Sequence, residues 1–300
     1  MPTLLLIDGH SLAYRAFYAL PTDLATKAGT VTNAAYGFTS MLVKVLTDEA
    51  PDFIAVAFDA PGPTFRDAMD PEYKAGRKET PAVFSAQLPL IREVLDTLRI
   101  PVLSVEGVEA DDVIATLTTR ADEAGLDVVV VTGDRDTFQL VHDPHVKVLY
   151  NKRGVSDYAL YDEAGIIDRT GGVTPAQYPD YAALRGDTSD NLPGVPGIGE
   201  KTAAKLITTY GSVEDILEHV DELPPKQREN LNVARERVLL NREMSVLRRD
   251  VPVGVDVNAL HQAPFDREQA RVLFDQLEFR SLWTRLLEAV GDAAKAILRS

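Results

Sequence analysis

The sequence predicts an α/β fold, in which a mostly parallel, twisted central sheet flanked by helices is followed by an α-helical region. Two observations support this prediction. Short aliphatic runs alternate with helical patterns through the first half of the chain, and the strand signal stops near residue 185. Strand–helix alternation at this spacing is typical of βαβ units, whose strands run parallel.

The predicted strands are compact aliphatic or β-branched blocks with polar boundaries. They cover residues 3–8, 53–59, 101–105, 127–134 and 146–150. Helical patterns are predicted at residues 11–20, 33–48, 82–98, 110–124, 199–210, 212–219, 225–239 and 266–288. In the segment 110–124, the apolar residues fall on one helical face, which we expect to pack on the sheet.

Composition limits the class of protein. The chain has 300 residues, of which 45% are hydrophobic and 26% charged, as in ordinary globular proteins. No apolar run approaches the roughly 18 residues of a membrane helix, and the N-terminus does not resemble a signal peptide. The absence of cysteine excludes disulfides and thiolate metal sites. We therefore expect a cytoplasmic monomer with no membrane partner.

The net charge of −15 argues weakly against a nucleic-acid partner. That argument loses force if many acids are gathered in one metal-binding cleft. Asp8, Asp59 and Asp134 each end a predicted strand, and the stretch GVEADDVIATL places three acids at the start of a helix. The carboxyl ends of parallel strands meet at one edge of a sheet, where ligands bind. These acids should therefore share one rim.

Each acid alone has a simpler structural explanation. An acid at a helix N-terminus caps backbone N–H groups, which is worth about 0.5–2 kcal/mol. An Asp after a strand is also a common turn residue. Capping does not explain why acids follow several strands at the same edge. Crowded carboxylates repel, and oxygen ligands without His or Cys partners favour Mg²⁺ or Mn²⁺. The pattern thus predicts a site for two ions, as used in phosphodiester displacement.

The glycine-rich stretch LPGVPGIGEKTAAKLI, residues 192–207, is the second informative motif. Its spacing fails the phosphate-binding loop of NTPases, because Glu200 stands where that motif needs Lys. A glycine hairpin that opens a helix exposes N–H groups suited to phosphate, although a plain turn between helices would look similar. The pattern is similar to a helix-hairpin-helix motif, which grips a DNA backbone without reading its sequence.

A long polar insertion at residues 65–81 follows the second strand. Lys74, Arg77 and Lys78 are spaced to share one helical face, although the segment also carries acids and a solvated loop is the simpler interpretation. The aromatic residues near the N-terminus, among them Tyr14 and Tyr18, are expected to lie in the core.

Six motifs occur in an order that resembles the 5′-nuclease domain of bacterial DNA polymerase I, which is related to flap endonucleases. They are LLLIDGHSLAYRAFYAL, FDAPGPTFR…YKAGR, EADDVIATL, VTGDRDTFQL, LRGDTSDNLPGVPGIGEKTAAKL and LFDQLEFRSL. The resemblance implies an α/β catalytic core over residues 1–184 with a helical arch at about 63–81. It also implies a helical DNA-binding region over 185–288 that contains the helix-hairpin-helix at about 192–207. Residues 289–300 would be a tail or a linker, either leading into a polymerase or ending a standalone protein.

The resemblance also assigns residues to roles. The metal-binding positions correspond to Asp8, Asp59, Glu109, Asp111, Asp112, Asp134, Asp136, Asp187 and Asp190. Lys74 and Arg77 correspond to catalytic cations of the arch. DNA contacts are expected from Arg15, Arg66, Lys78, Gly194, Gly197, Gly199, Lys201 and Thr202. The family precedent adds a K⁺ ion at the hairpin.

The function expected from the resemblance is a 5′→3′ exonuclease and flap endonuclease that uses Mg²⁺ in DNA replication and repair. Its partners would be DNA with a 5′ flap, nick or junction, an RNA–DNA hybrid as a further candidate, and a polymerase domain in the same chain. Two alternatives stay open at this point. They are a catalytically silent module that binds DNA junctions and a metal-dependent phosphatase on a comparable scaffold.

Overall fold

A six-stranded sheet forms the centre of the molecule. The computed structural model describes residues 1–77 and 79–297, with side chains through residue 289. The strands are β1 (Thr3–Asp8), β2 (Phe53–Ala57), β3 (Val102–Leu103), β4 (Asp127–Thr132), β5 (Val146–Arg153) and β6 (Asp157–Tyr161). Their order is β3-β2-β1-β4-β5-β6, and all neighbours pair in parallel except β5 and β6. The predicted mostly parallel sheet is confirmed.

The antiparallel strand β6 was not predicted. It is an edge strand without a fully buried residue, so its sequence lacks the compact apolar block that identified the others. A bulge near Asn151 interrupts its pairing with β5.

The helices surround this sheet on both faces. They are α1 (Gly9–Ala19), α2 (Asn33–Glu49), α3 (Phe65–Met69), α4 (Ala82–Ser85), α5 (Leu88–Thr97), α6 (Ala110–Glu123), α7 (Glu163–Thr170), α8 (Tyr178–Arg185), α9 (Glu200–Tyr210), α10 (Val213–Glu218), α11 (Pro225–Ser245), α12 (Arg267–Gln276) and α13 (Arg280–Ile297). Two predicted helices are each split in two. The break before α13 contains Glu278 in the left-handed region, with φ of 60°.

Alternate side chains of the strands enter two separate apolar layers. Leu4 and Leu6 of β1 face the layer that contains α6 and α8–α11, whereas Leu5 and Ile7 face the layer formed by α1, α2 and α5. The C-terminal helices α12 and α13 join the second layer, because Phe274 and its neighbours are buried there. Fully buried parallel strands explain why their sequences read as continuous apolar runs.

The region after α8 is mostly helical, as predicted. The exceptions include residues 246–266, which contain no α-helix, and a two-stranded ribbon of β7 (Gly186–Asp187) and β8 (Leu192–Pro193). Gly186 has φ of 80°, and a Cβ there would stand 2.3 Å from the Gly194 backbone nitrogen. The ribbon therefore needs glycine at both positions, since the two backbones touch.

The segment at residues 63–81 differs from its prediction. Only Phe65–Met69 forms a helix, and residues 71–76 form turns. Lys74 has φ of 56°, which no regular right-handed helix contains. The prediction that Lys74, Arg77 and Lys78 share one helical face is therefore wrong for the first two, and Lys78 lies outside the described residues. Over the described part of the chain, no helix is both long and apolar enough to span a membrane.

Candidate metal and nucleic-acid site

The site lies where the strand order reverses. β1 leads through its crossover to β2 on one side, and its other neighbour is β4, so the carboxyl ends of β1 and β4 flank the switch point. Ligands of open α/β sheets bind in the crevice at such a point. Asp8 is the last residue of β1, and Asp134 follows β4 by two residues. A cleft of about 920 Å³ opens here, lined by five acids, Asp8, Asp59, Glu109, Asp111 and Asp134.

Local hydrogen bonds fix the orientation of two of these acids. Asp8 caps α1, since its Oδ1 accepts from the Ser11 N–H at 3.0 Å, while its Oδ2 accepts from the Thr132 hydroxyl at 2.8 Å. Asp59 accepts from the Ala110 N–H at the start of α6, at 2.8 Å. The capping explanation is thus correct for both residues, and the caps hold the carboxylates on the rim.

Asp111 is the acid whose environment is least favourable for a negative charge. Its Oδ1 is buried and has no hydrogen-bond partner. Burial first, and then the charges of Asp8 and Asp134, raises the pKa of Asp111 well above its ordinary value. An unpartnered buried carboxylate oxygen needs either a proton or a cation, because an uncompensated buried charge is costly.

Other acids of the rim also lie in surroundings that disfavour their negative charge. Burial raises the pKa of Asp8 to about 7, with hydrogen bonds from Ser11 and Thr132 acting against it. Burial also raises the pKa of Asp134, and it raises the pKa of Asp136 well above its usual range. The charges of Asp187 and Asp190 contribute to both shifts, so the ribbon acids belong to the same electrostatic cluster.

The acids do not form a finished metal site as they stand. Among the described residues, no three Asp, Glu, His or Cys side chains are arranged to hold a metal ion. Several are turned onto local donors: Asp187 accepts from the Ser189 N–H and hydroxyl, and Asp134 accepts from the Asp136 N–H. The rim therefore gathers the predicted acids while their oxygens remain apart. The donor set itself is all oxygen and carries excess negative charge, which suits a hard divalent cation.

Asp112 is placed differently from its neighbours, and its predicted metal role does not fit this placement. It is 0% exposed and accepts from both Arg66 terminal nitrogens, at 2.7 and 3.0 Å. Its oxygens also accept from the N–H groups of Glu109 and Arg248. Arg66 is 2% exposed and donates to the Met244 carbonyl as well. The predicted DNA contact of Arg66 is therefore corrected: its guanidinium holds the interior together.

The segment 70–77 contacts two of the acids, Glu109 and Asp190. Lys74 Nζ lies 2.6 Å from Glu109 Oε1, and Arg77 donates to Asp190 Oδ1 at 2.5 Å. The backbone N–H of Lys74 also donates to the Asp190 carbonyl at 2.9 Å. Burial works against the charge of Lys74, but the Glu109 and Asp190 carboxylates outweigh it and raise the pKa of Lys74. Lys74 therefore remains charged beside the rim, where Arg77 is paired with Asp190.

Sequence reasoning missed two residues that line this cleft, His10 and Arg92, and a third, Tyr73, that contacts its acids. The Tyr73 hydroxyl lies 2.8 Å from Asp190 and 3.2 Å from Glu109, so it can donate its proton to this carboxylate pair. His10 and Arg92 line the cleft on the Asp59 side. Burial lowers the pKa of His10, and its Nδ1 accepts from the Asp59 N–H. The position of His10 two residues after Asp8 was the available signal, whereas nothing local marked Arg92.

The glycine hairpin stands between β8 and α9. Gly197 has φ of 78° and Gly199 is the residue before α9, so the chain reverses as predicted. Asn230 of α11 donates to the Pro196 carbonyl at 2.7 Å and fixes the turn. Lys201 is exposed and Thr202 half-buried at the start of α9. Gly194, by contrast, packs on the Arg185 carbonyl, so its expected DNA contact is corrected to a structural role.

Arg15 has a structural role, and its expected phosphate contact stays a prediction. Its guanidinium donates to the carbonyls of Lys152 and Gly133, at 3.2 and 3.1 Å. These bonds tie α1 to the ends of β5 and β4.

The fold and the acid-lined switch point together define a nuclease-like α/β domain with a helical second region. The chain belongs to the 5′-3′ exonuclease family: residues 3–171 match its N-terminal resolvase-like domain, and residues 173–268 match its C-terminal SAM fold. The resemblance found in the sequence is confirmed, as is the class of enzyme at the level of this family.

Curated relatives make the likeness more particular. The chain is 51% identical over 293 residues to DNA polymerase I of Mycobacterium bovis, which covers 97% of this chain and 32% of that protein. It is 44% identical to DNA polymerase I of Bacillus caldotenax, covering 99% of this chain and 34% of that protein. The chain thus spans about a third of the length of these relatives.

A solved structure with the same fold is the phage T5 5′-exonuclease described with bound zinc. It has a TM-score of 0.67 and 21% identity, and it covers 97% of this chain and 99% of its own. At this identity the likeness concerns the fold. The match covers both the mostly parallel sheet and the helical second region of this chain.

Proposed function

We propose that the chain is a structure-specific 5′ nuclease, a 5′→3′ exonuclease and flap endonuclease acting in DNA replication and repair. It would hydrolyse DNA phosphodiesters near 5′ ends, flaps and nicks with two Mg²⁺ ions, for which Mn²⁺ substitutes. The observation that carries this proposal is the buried, unpartnered oxygen of Asp111 in a cleft that four further acids line, Asp8, Asp59, Glu109 and Asp134. A polymerase domain in the same protein, as in the relatives, is part of the proposal.

The residues that would hold the ions are the rim acids with raised pKa values and their neighbours. We assign Asp8, Asp111, Asp134 and Asp136 to the centre of the set, with Asp59, Glu109, Asp187 and Asp190 around them. Asp112 is excluded, because Arg66 and two backbone N–H groups occupy its oxygens. Divalent ions bound there would supply a water of lowered pKa and neutralise charge on the leaving oxygen.

The chain's own cations would bind the substrate phosphate. Lys74 and Arg77 line the acid cleft and are paired with Glu109 and Asp190. Each is within reach of an acid now and would turn toward a phosphate that carries more negative charge. Their positive charge would stabilise the pentavalent transition state, where charge on the phosphoryl oxygens increases. Tyr73, through its hydrogen bonds to Asp190 and Glu109, would position the two carboxylates.

The helix-hairpin-helix would hold the duplex. Gly197, Gly199, Lys201 and Thr202 lie on the turn and first residues of α9, where backbone N–H groups and one cation can meet phosphates. A K⁺ ion at the turn carbonyls remains part of this proposal. DNA is therefore expected to contact the cleft and this turn together.

A Mg²⁺-dependent cleavage assay on a DNA duplex with a labelled 5′ flap tests the proposal. We expect cleavage near the junction by the wild-type chain, loss of orders of magnitude in Asp134→Asn, and retained DNA binding in that variant. Full activity of Asp134→Asn would refute the metal site. Binding without cleavage by the wild type would favour the silent junction-binding module. Hydrolysis of a small phosphoester in the absence of DNA cleavage would favour a phosphatase.

A further inference from the structure

A second groove adjoins the acid-lined cleft. It has a volume of about 610 Å³, within the range of ligand-binding pockets, and it lies between α1 and the turn of the β5–β6 hairpin. Ser11 and Tyr14 line both the groove and the cleft, so the two are continuous. We call it the Tyr18 groove and define it by Tyr14, Tyr18, Lys152 and Arg153, which line it together with Ser11, Arg15, Ala19 and Gly154.

The α1 side of the groove is an aromatic platform. Tyr18 is 71% exposed, which departs from the expectation that the N-terminal aromatics are core residues. Its ring stacks on Tyr14 at 13° with centroids 6.2 Å apart, and Tyr14 stacks on buried Phe84 at 4.2 Å. The Tyr14 hydroxyl is hydrogen-bonded to Thr80 at 2.8 Å. Tyr18 is thus an exposed ring held by a rigid stack, which is the form that base-stacking sites take.

The hairpin side of the groove is positively charged. Lys152 and Arg153 are exposed at the end of β5, and neither forms an ion pair with a carboxylate that the structure describes. Arg15 fixes this side to α1 through its bond to the Lys152 carbonyl. In a chain of net charge −15, two free cations beside an exposed ring favour a ligand that carries both phosphate and a π face.

We propose that the Tyr18 groove binds an unpaired nucleotide of the DNA substrate, with the base stacked on Tyr18 and the backbone phosphates near Lys152 and Arg153. This inference rests on the proposed nuclease function and extends it. The groove selects substrates that have unpaired nucleotides next to the cleavage site over fully paired nicks. A fully paired duplex presents no free base face, because its bases are stacked on each other.

Binding measurements without divalent ion test the groove separately from catalysis. Three labelled DNAs are compared by fluorescence anisotropy in EDTA: a nicked duplex, the same duplex with an unpaired 5′ flap, and one with an unpaired 3′ end. We expect Tyr18→Ala to weaken binding of one unpaired form about tenfold and to leave the nicked duplex unchanged. The form that loses affinity identifies the strand that enters the groove.

Salt titration distinguishes stacking from charge. For the unpaired substrate, Lys152→Ala should reduce the slope of log K against log salt by about 0.7, as expected for one lost phosphate contact to a single strand. Tyr18→Ala should lower affinity without changing that slope. Arg99→Ala is the matched control, since Arg99 is an exposed cation beyond the end of α5, next to the opposite rim of the sheet.

The outcomes separate the two proposals. If the wild type cleaves flaps but Tyr18→Ala binds all three DNAs as the wild type does, the groove is refuted while the nuclease function stands. Equal losses on all three DNAs would show that the groove contacts duplex and would overturn the selection of unpaired nucleotides. Failure of the wild type to cleave any DNA with Mg²⁺ would refute the proposed function itself. Circular dichroism of each variant verifies the fold.

Discussion

The adjacent acids Asp111 and Asp112 should respond to the same substitution in opposite directions. In Asp112→Asn, Arg66 keeps its charge in a site where it is 2% exposed and loses its ionised partner. Breaking a buried ion pair from one side costs about 3–5 kcal/mol. Glu109, whose Oε2 stands 3.6 Å from Arg66, compensates in part and places the expected loss at the lower end of that range.

The loss should be visible in thermal unfolding. At about 2–4 °C per kcal/mol for a domain of this size, Asp112→Asn should lower Tm by about 6–12 °C. Asp111→Asn removes a buried charge with an unpartnered oxygen, so it should raise Tm in EDTA and abolish the increase that Mg²⁺ causes. The assay is differential scanning calorimetry of both variants with EDTA and with Mg²⁺.

One result would refute the different roles assigned to Asp111 and Asp112. If Asp112→Asn unfolds within 1–2 °C of the wild type (the scale of a typical surface change) and also loses its response to Mg²⁺, then Asp112 is a metal ligand and the reasoning from its hydrogen bonds is refuted. The double variant Arg66→Met with Asp112→Asn serves as the control. It removes both charges while an amide oxygen remains for the backbone N–H groups that Asp112 accepts from, and it should recover stability relative to Asp112→Asn alone, as replacement of buried ion pairs often does.

Three further expectations follow from the site. Lys74→Ala should lower the single-turnover cleavage rate at least tenfold with Tm nearly unchanged, and a normal rate would remove Lys74 from the reaction. Gly197→Ala places a side chain at φ of 78° and should weaken duplex binding in anisotropy measurements. In Gly199→Ala the added Cβ meets no atom within 4 Å, so this variant should keep wild-type stability. Undiminished affinity of the Gly197 variant across a salt titration would count against the hairpin. In EDTA, the pKa of Asp8, which burial raises to about 7, stabilises the fold below about pH 4, and this contribution is lost as pH rises through about 7; the raised pKa of Asp111 acts in the same direction. Tm in EDTA should therefore fall between pH 5 and pH 8 and recover with Mg²⁺, and a Tm independent of pH would contradict the charge cluster.

The strand-end acids were accessible from sequence because parallel pairing carries every strand's carboxyl end to one edge. Asp8 and Asp134 are brought to the switch point by strand direction alone, without knowledge of any side-chain contact. The role of Asp112 was not accessible, since its partner Arg66 is 46 residues away and no local pattern links them. Spacing also misjudged the segment around Lys74, because Lys74 is in the left-handed conformation and its contacts are with Glu109 and Asp190, which are distant in the sequence.

Exposure was the other quantity that the sequence did not provide. Tyr14 and Tyr18 are one helical turn apart on α1 and look alike in the sequence, yet Tyr18 is 71% exposed. Whether an aromatic residue at the end of a helix is covered depends on what packs beyond it. In this molecule, Phe84 from a distant segment covers Tyr14, and Tyr18 lies beyond its reach.

The placement of α12 and α13 in the same apolar layer as α1 and α2 makes the two ends of the chain a single cooperative unit. Phe279 packs edge-on against Tyr36 of α2, and Leu282 and Leu286 are buried beside it. In a protein shortened to residue 268, where the second family match stops, the apolar surface of α2 that α13 covers would be exposed to solvent. Its N-terminal half would then be expected to aggregate, although the deleted residues whose side chains the structure describes do not line the acid cleft.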